Sequence, residues 1–153
     1  MNATKFLSIL AISLLLAGYA AWIRSERPPM DRDERTIPAT DIPLIRLAEA
    51  ESLWRKGSTI FVDVRAPADY SAGHIAGAIN LPEEDFEERF RLFKARLDEA
   101  RAIVVYCNNR DCGKSLWSAL RLRRQGLTQT RIFPEGWHDW IGKGLPTAVA
   151  ATR

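Results

Sequence analysis

Ala102-Ile103-Val104-Val105-Tyr106 runs directly into Cys107-Asn108-Asn109-Arg110-Asp111-Cys112-Gly113, and the reading of this junction decides the fold. Five consecutive apolar residues rich in β-branched side chains predict a strand buried on both faces, as in a parallel sheet. The polar stretch after it is a loop. A helix near 114–125 follows, with Leu116, Ala119, Leu120 and Leu127 toward a core and Gly126 as its stop. Upstream, Thr59-Ile60-Phe61-Val62-Asp63-Val64 has the same strand character. Before it, Leu47, Ala50, Leu53 and Trp54 recur at helical spacing over residues 46–56. Phe86, Phe90, Phe93 and Leu97 mark a helix over 84–97, and Arg131-Ile132-Phe133 is a third short strand. Strands alternating with helices predict an α/β domain, a small parallel sheet with helices on both faces.

The chain has 153 residues, 46% of them hydrophobic and 27% charged, with a net charge of +3, which fits one globular domain plus an extension. Arg121, Arg123 and Arg124 form the one basic cluster, and their helical placement predicts a solvated helix face rather than a nucleic-acid site. Cys107 and Cys112 are too few for a disulfide scaffold and lack the paired spacing of a zinc site, so no metal or cofactor is predicted. Five positions apart in one loop, they act together or one serves the other.

The extension is N-terminal. Residues 6–23 form an uncharged apolar run, preceded by Lys5 and ending near Trp22, so residues 1–23 are expected to be a transmembrane anchor or a signal peptide, forming an N-terminal hydrophobic helix. Gly18-Tyr19-Ala20 offers the small residues of a cleavage site, with a mature start at Ala21. Arg24, Arg27, Arg32 and Arg35 follow the run and argue for a cytoplasmic domain under the positive-inside rule. The short basic leader argues for export, the reading adopted, which places the domain outside the cytoplasm in the cell envelope. Residues 24–40 read as a flexible linker, 41–147 as the domain and 148–153 as a tail.

Ligands of such sheets bind beyond the carboxyl ends of the strands, which singles out residues 63–65 and 107–114. A thiol at a strand end, among loop amides and before a helix N-terminus, sits where its anion is favoured, and Arg110 and Lys114 would add charge. Residue chemistry alone leaves two readings open: a nucleophilic Cys107, or a small apolar residue ending a buried strand.

Four pieces in register resemble the rhodanese-like family, over about residues 42–146. Phe61-Val62-Asp63-Val64-Arg65 is similar to its Asp-x-Arg strand and Gly73-His74-Ile75-Ala76-Gly77-Ala78-Ile79-Asn80 to its Gly-His-Ile-x-Gly-Ala segment. Val105-Tyr106-Cys107 resembles its active-site entry, and Glu135-Gly136-Trp137-His138-Asp139-Trp140 its closing Gly-aromatic-x-x-Trp motif. The resemblance implies a sulfurtransferase: Cys107 takes sulfur from a small-molecule or protein donor as a persulfide and passes it to a thiol or other nucleophilic acceptor. It also implies that the loop residues Asn108, Asn109, Arg110, Asp111, Cys112, Gly113, Lys114 and Ser115 bind substrate. Asp63 and Arg65 would brace the loop and His74 would play a structural part, while His138 has no family role and reads as a surface residue.

The loop departs from the family pattern Cys-x-x-x-x-Arg-Ser. Ser115 stands eight positions after Cys107 instead of six, and Cys112 occupies the place of the arginine. A longer ring of amides implies a larger or differently charged donor than thiosulfate. Dual-specificity phosphatases of this fold carry Cys-x-x-x-x-x-Arg, and Gly113 at that position argues against phosphatase chemistry. Cys112 is a candidate resolving thiol that would close a disulfide with Cys107. Two other functions remain: a docking module in which Cys107 is incidental, and a dithiol redox protein using both cysteines.

Overall fold

The computed structural model describes residues 41–150. The apolar run 6–23, the hydrophobic helix and membrane contact expected of it, the linker 24–40 and residues 151–153 lie outside the described residues. Among the described residues no helix is long and apolar enough to cross a membrane.

Among the described residues six strands and five helices follow one another. They are α1 (Leu47–Arg55), β1 (Thr59–Asp63), α2 (Pro67–Ala72), β2 (His74–Ile75), β3 (Ile79–Asn80), α3 (Phe86–Glu99), β4 (Ala102–Tyr106), α4 (Lys114–Arg124), β5 (Thr130–Phe133), α5 (Gly136–Gly142) and β6 (Thr147–Ala148). The main sheet is parallel with order β3-β1-β4-β5. β4 is buried along its whole length because it has a strand on either side and side chains packed above and below.

Alternation along the strands sorts the core into two layers. Phe61, Val104, Tyr106 and Phe133 face a cluster completed by Ala50 of α1, Trp140 of α5, Ile45 and Ile75. Trp140 anchors this layer: it is fully buried, with Phe61, Phe133 and Trp54 ringing it at 5.6, 6.4 and 6.2 Å between centroids. Burial of each such side chain contributes about 1.5–3 kcal/mol. Val62, Ile103 and Val105 point the other way, toward α4, which packs on β4 and β5. Arg121 of α4 lies 4.2 Å over the ring of Phe86, so α3 shares that side.

Some segments depart from the expectation. β2 and β6 form a separate antiparallel pair, His74 opposite Ala148 and Ile75 opposite Thr147. Beyond it, the Ala150 amide donates to the Ser71 carbonyl at 3.2 Å. The chain therefore stays bound to the domain through Ala150 rather than leaving it as a tail after residue 147. α2 is a short helix opened by Pro67 with no buried residue, which is why apolar spacing does not announce it.

The registers decide the position of the site. Asp63 lies opposite Tyr106, and Tyr106 opposite Phe133, so β1, β4 and β5 end in line across the sheet. The chain leaves those ends as Val64-Arg65, Cys107-Asn108 and Pro134-Glu135-Gly136, which places three loops side by side.

Candidate active site

The floor of the site is a buried ion pair. Asp63 is fully buried and Arg65 nearly so. Arg65 donates from Nε to both carboxylate oxygens of Asp63, at 3.0 and 3.1 Å, from Nη2 at 2.6 Å, and from its own backbone amide at 2.9 Å. A remaining guanidinium proton goes to the Gly73 carbonyl at 2.6 Å, and the indole of Trp137 lies 4.7 Å away over the guanidinium. Burial works against the charge of Arg65, but the bonded carboxylate outweighs it and holds the guanidinium pKa above its ordinary value.

The same carboxylate accepts the Tyr106 hydroxyl at 2.7 Å, while that hydroxyl accepts the Ile75 amide at 3.1 Å. Burial, then the negative charge of Asp63, push the Tyr106 phenol well up, so it remains a donor. The side-chain amide of Asn80 ties down the carbonyls of Asp63 and Arg65, both at 3.0 Å. The pair thus acts on the cysteine loop at one remove, through Tyr106, the residue before Cys107, and through Trp137.

Trp137 reaches the loop by its backbone. Its amide donates to the Cys107 carbonyl at 2.8 Å, and the His138 amide to the Asn108 carbonyl at 3.0 Å. Such closeness requires glycine at the preceding position. Gly136 has φ +63°, and a Cβ there would stand 2.2 Å from the Cys107 carbonyl oxygen. The Gly-aromatic motif is therefore the strut that holds the loop entry.

Seven residues, 107–113, separate β4 from α4. Asn109 organises their turn: its side-chain oxygen accepts the Asp111 amide at 3.2 Å and its carbonyl the Cys112 amide at 3.3 Å. The Ser115 hydroxyl donates to the Cys112 carbonyl at 3.3 Å. Gly113 offers no side-chain cap, so the start of α4 is left to the loop. Cys107, almost entirely buried, is joined to the partly exposed Cys112 in a disulfide, with 6.2 Å between their Cα atoms. Cys107 is thus not free in this form, and the pair does close on itself.

Arg110 and Lys114, from which charge beside Cys107 is expected, each face a carboxylate. Lys114 lies 3.6 Å from Glu84, and Arg110 donates to Glu135. Glu135 enters the sequence reading only as the first residue of the closing motif, and its part in the site was missed there. It is buried, shares Oε1 between Arg110 and Arg46 (3.4 Å), and its Oε2 has no partner among the described residues. Its position one residue before the Gly136 strut was the available signal.

His74 is turned away from the loop. Its Nδ1–H donates to the Tyr70 carbonyl at 2.8 Å and its ring stacks on Tyr70 at 3.8 Å. His138, by contrast, borders an open cleft of about 400 Å³ with Arg65, Asp69, Asn108 and Trp137. That volume suits a small ligand. No group of His, Cys, Asp and Glu among the described residues has the arrangement of a metal site.

Comparison with known proteins agrees with this architecture. The rhodanese-like domain model matches residues 47–143, and the chain belongs to that family. It is 34% identical over 120 residues to the HTH-type transcriptional regulator Rv0324 of Mycobacterium tuberculosis, covering 75% of this chain and 51% of that protein. It is 29% identical over 97 residues to the thiosulfate:glutathione sulfurtransferase of Saccharomyces cerevisiae, covering 57% of this chain and 68% of that enzyme. The human single-domain sulfurtransferase TSTD1 superposes with a TM-score of 0.54 at 27% identity, over 66% of this chain and 96% of that one. The chain thus spans about half the length of the mycobacterial regulator and about two thirds of the yeast enzyme. Sulfur transfer is a chemistry of the family to which this domain belongs.

Proposed function

We propose that the protein is a sulfurtransferase in which Cys107, once reduced, attacks a sulfane sulfur donor, carries the sulfur as a persulfide and yields it to a nucleophilic acceptor. The observation that carries this reading is the position of Cys107. It follows the central strand directly, beside the Arg65–Trp137 cleft and before the uncapped start of α4. Loop amides and that helix end favour both a thiolate and the persulfide anion. The backbone of the loop 108–115 would enclose the donor, with no part for the Cys112 side chain in holding it, and the cleft would admit the acceptor.

The test is steady-state transfer from a sulfane donor to a thiol acceptor by the reduced chain. Ping-pong kinetics and loss of transfer in Cys107→Ser are expected. Undiminished transfer by that variant would exclude Cys107 as the sulfur carrier.

The disulfide supports a second reading, a dithiol redox protein, which predicts thiol–disulfide exchange without uptake of sulfur. A disulfide in this loop also suits an oxidising compartment, in keeping with placement of the domain in the cell envelope by residues 6–23. Fractionation of cells, with sequencing of the mature N-terminus, tests that placement.

A further inference from the structure

The persulfide of Cys107 has an acceptor in its own loop. We infer that Cys112 attacks the Cys107 persulfide and releases its sulfur as hydrosulfide, so that the protein reduces sulfane sulfur at the expense of an external dithiol. This inference rests on the sulfurtransferase reading and adds to it a second activity.

The geometry favours attack on the inner sulfur. The two Sγ atoms are within bonding reach with Cys107 in place at the end of β4, the Asn109 turn closed and Ser115 bonded to the Cys112 carbonyl. A Cys112 thiolate in that position faces the sulfur that is bonded to the Cys107 side chain. Attack there forms the Cys107–Cys112 bond and breaks the bond between the Cys107 sulfur and the outer sulfur, which departs with the electron pair as hydrosulfide. The outer sulfur is reduced and two thiols are oxidised to one disulfide.

Recovery requires a dithiol, and burial indicates where it enters. Cys107 is 4% exposed, whereas Cys112 is partly open, so an incoming thiolate meets the Cys112 sulfur first. That attack makes a mixed disulfide on Cys112 and expels Cys107 as a thiolate, the form that the loop amides and helix start stabilise. The second thiol of the reductant then displaces Cys112 and leaves as its own disulfide. Each cycle converts one sulfane sulfur into hydrosulfide, consumes one dithiol and returns Cys107 to the nucleophilic state.

The experiment is a single turnover of the full chain. Protein reduced with dithiothreitol and freed of it under nitrogen receives one equivalent of thiosulfate or, in a parallel sample, of glutathione persulfide, with no added acceptor. Released hydrosulfide and intact mass are read together. The expected result is one hydrosulfide per wild-type chain with return of the mass to the disulfide form. In the thiosulfate sample Cys112→Ser and Cys112→Ala should both keep one added sulfur and release none until a thiol is supplied; in the parallel sample the glutathione set free by the persulfide counts as supplied thiol. If wild type retains the added sulfur as the Cys112 variants do, or if those variants release hydrosulfide equally in the thiosulfate sample, the inference is overturned while the persulfide on Cys107 stands. If no Cys112 variant gains sulfur from either donor, the sulfurtransferase reading itself fails.

Discussion

Gly136 is set by a close approach rather than by a turn alone. A side chain there would meet the Cys107 carbonyl oxygen and occupy a left-handed backbone region, which costs about 1–2 kcal/mol by itself. Gly136→Ala is expected to lower stability by about 2 kcal/mol or more, seen as a fall in Tm, and to displace the loop entry. An unchanged Tm would mean that the strut is not as close as described. Tyr106 gives a second prediction. Its phenol pKa is raised in the folded state, so the neutral form binds its proton more tightly there than in the unfolded chain. The resulting stabilisation is complete below the unfolded value of about 10 and is lost as pH rises beyond it. Tyr106→Phe should cost about 1–3 kcal/mol at neutral pH, since Asp63 and the Ile75 amide each lose a partner, and should make the alkaline loss of stability shallower. Equal alkaline slopes in the two proteins would contradict this. The Asp-x-Arg spacing was legible in the sequence, but its satisfaction by Tyr106, Gly73 and Trp137 was not. Those partners are 43, 10 and 74 positions from Asp63 and meet only in the folded sheet.

The strands and amphipathic helices were legible because their apolar patterns are long enough to have a period. β4 begins and ends where continuous apolar character predicts, and α1, α3 and α4 lie within two residues of expectation. The elements that escaped are those held by distant partners: the two-residue strands β2, β3 and β6, and α2, which buries nothing. α5 is seven residues long and carries one large fully buried side chain, Trp140, so it was visible only as a motif. The cysteine loop is intermediate. Its length and the presence of Cys112 are plain in the sequence, whereas the pairing of Arg110 with Glu135 and of Lys114 with Glu84 depends on tertiary placement. The disulfide spans five positions, so its loop-closure contribution is modest, about 2 kcal/mol. Reduction should therefore lower Tm by several degrees while leaving the domain folded. Global unfolding on reduction would show that the bond supports more than its loop.

At the scale of the whole domain, the parallel sheet brings three strand ends into line and so collects the buried ion pair, the cysteine loop and the glycine strut around one cleft. The ion pair and the strut fix the loop entry, while the rest of the loop remains accessible through Cys112. On the proposed mechanism, this division would let a buried sulfur be formed, presented and renewed without disturbing the core. The central claim is that Cys107 is the sulfur carrier. Its most direct test is peptide mass analysis of reduced Cys112→Ser after exposure to a sulfane donor, with Cys107→Ser alongside. The account predicts one added sulfur on the peptide containing Cys107 and none in the Cys107→Ser chain. The absence of added sulfur from Cys107, or its persistence in Cys107→Ser, would contradict it.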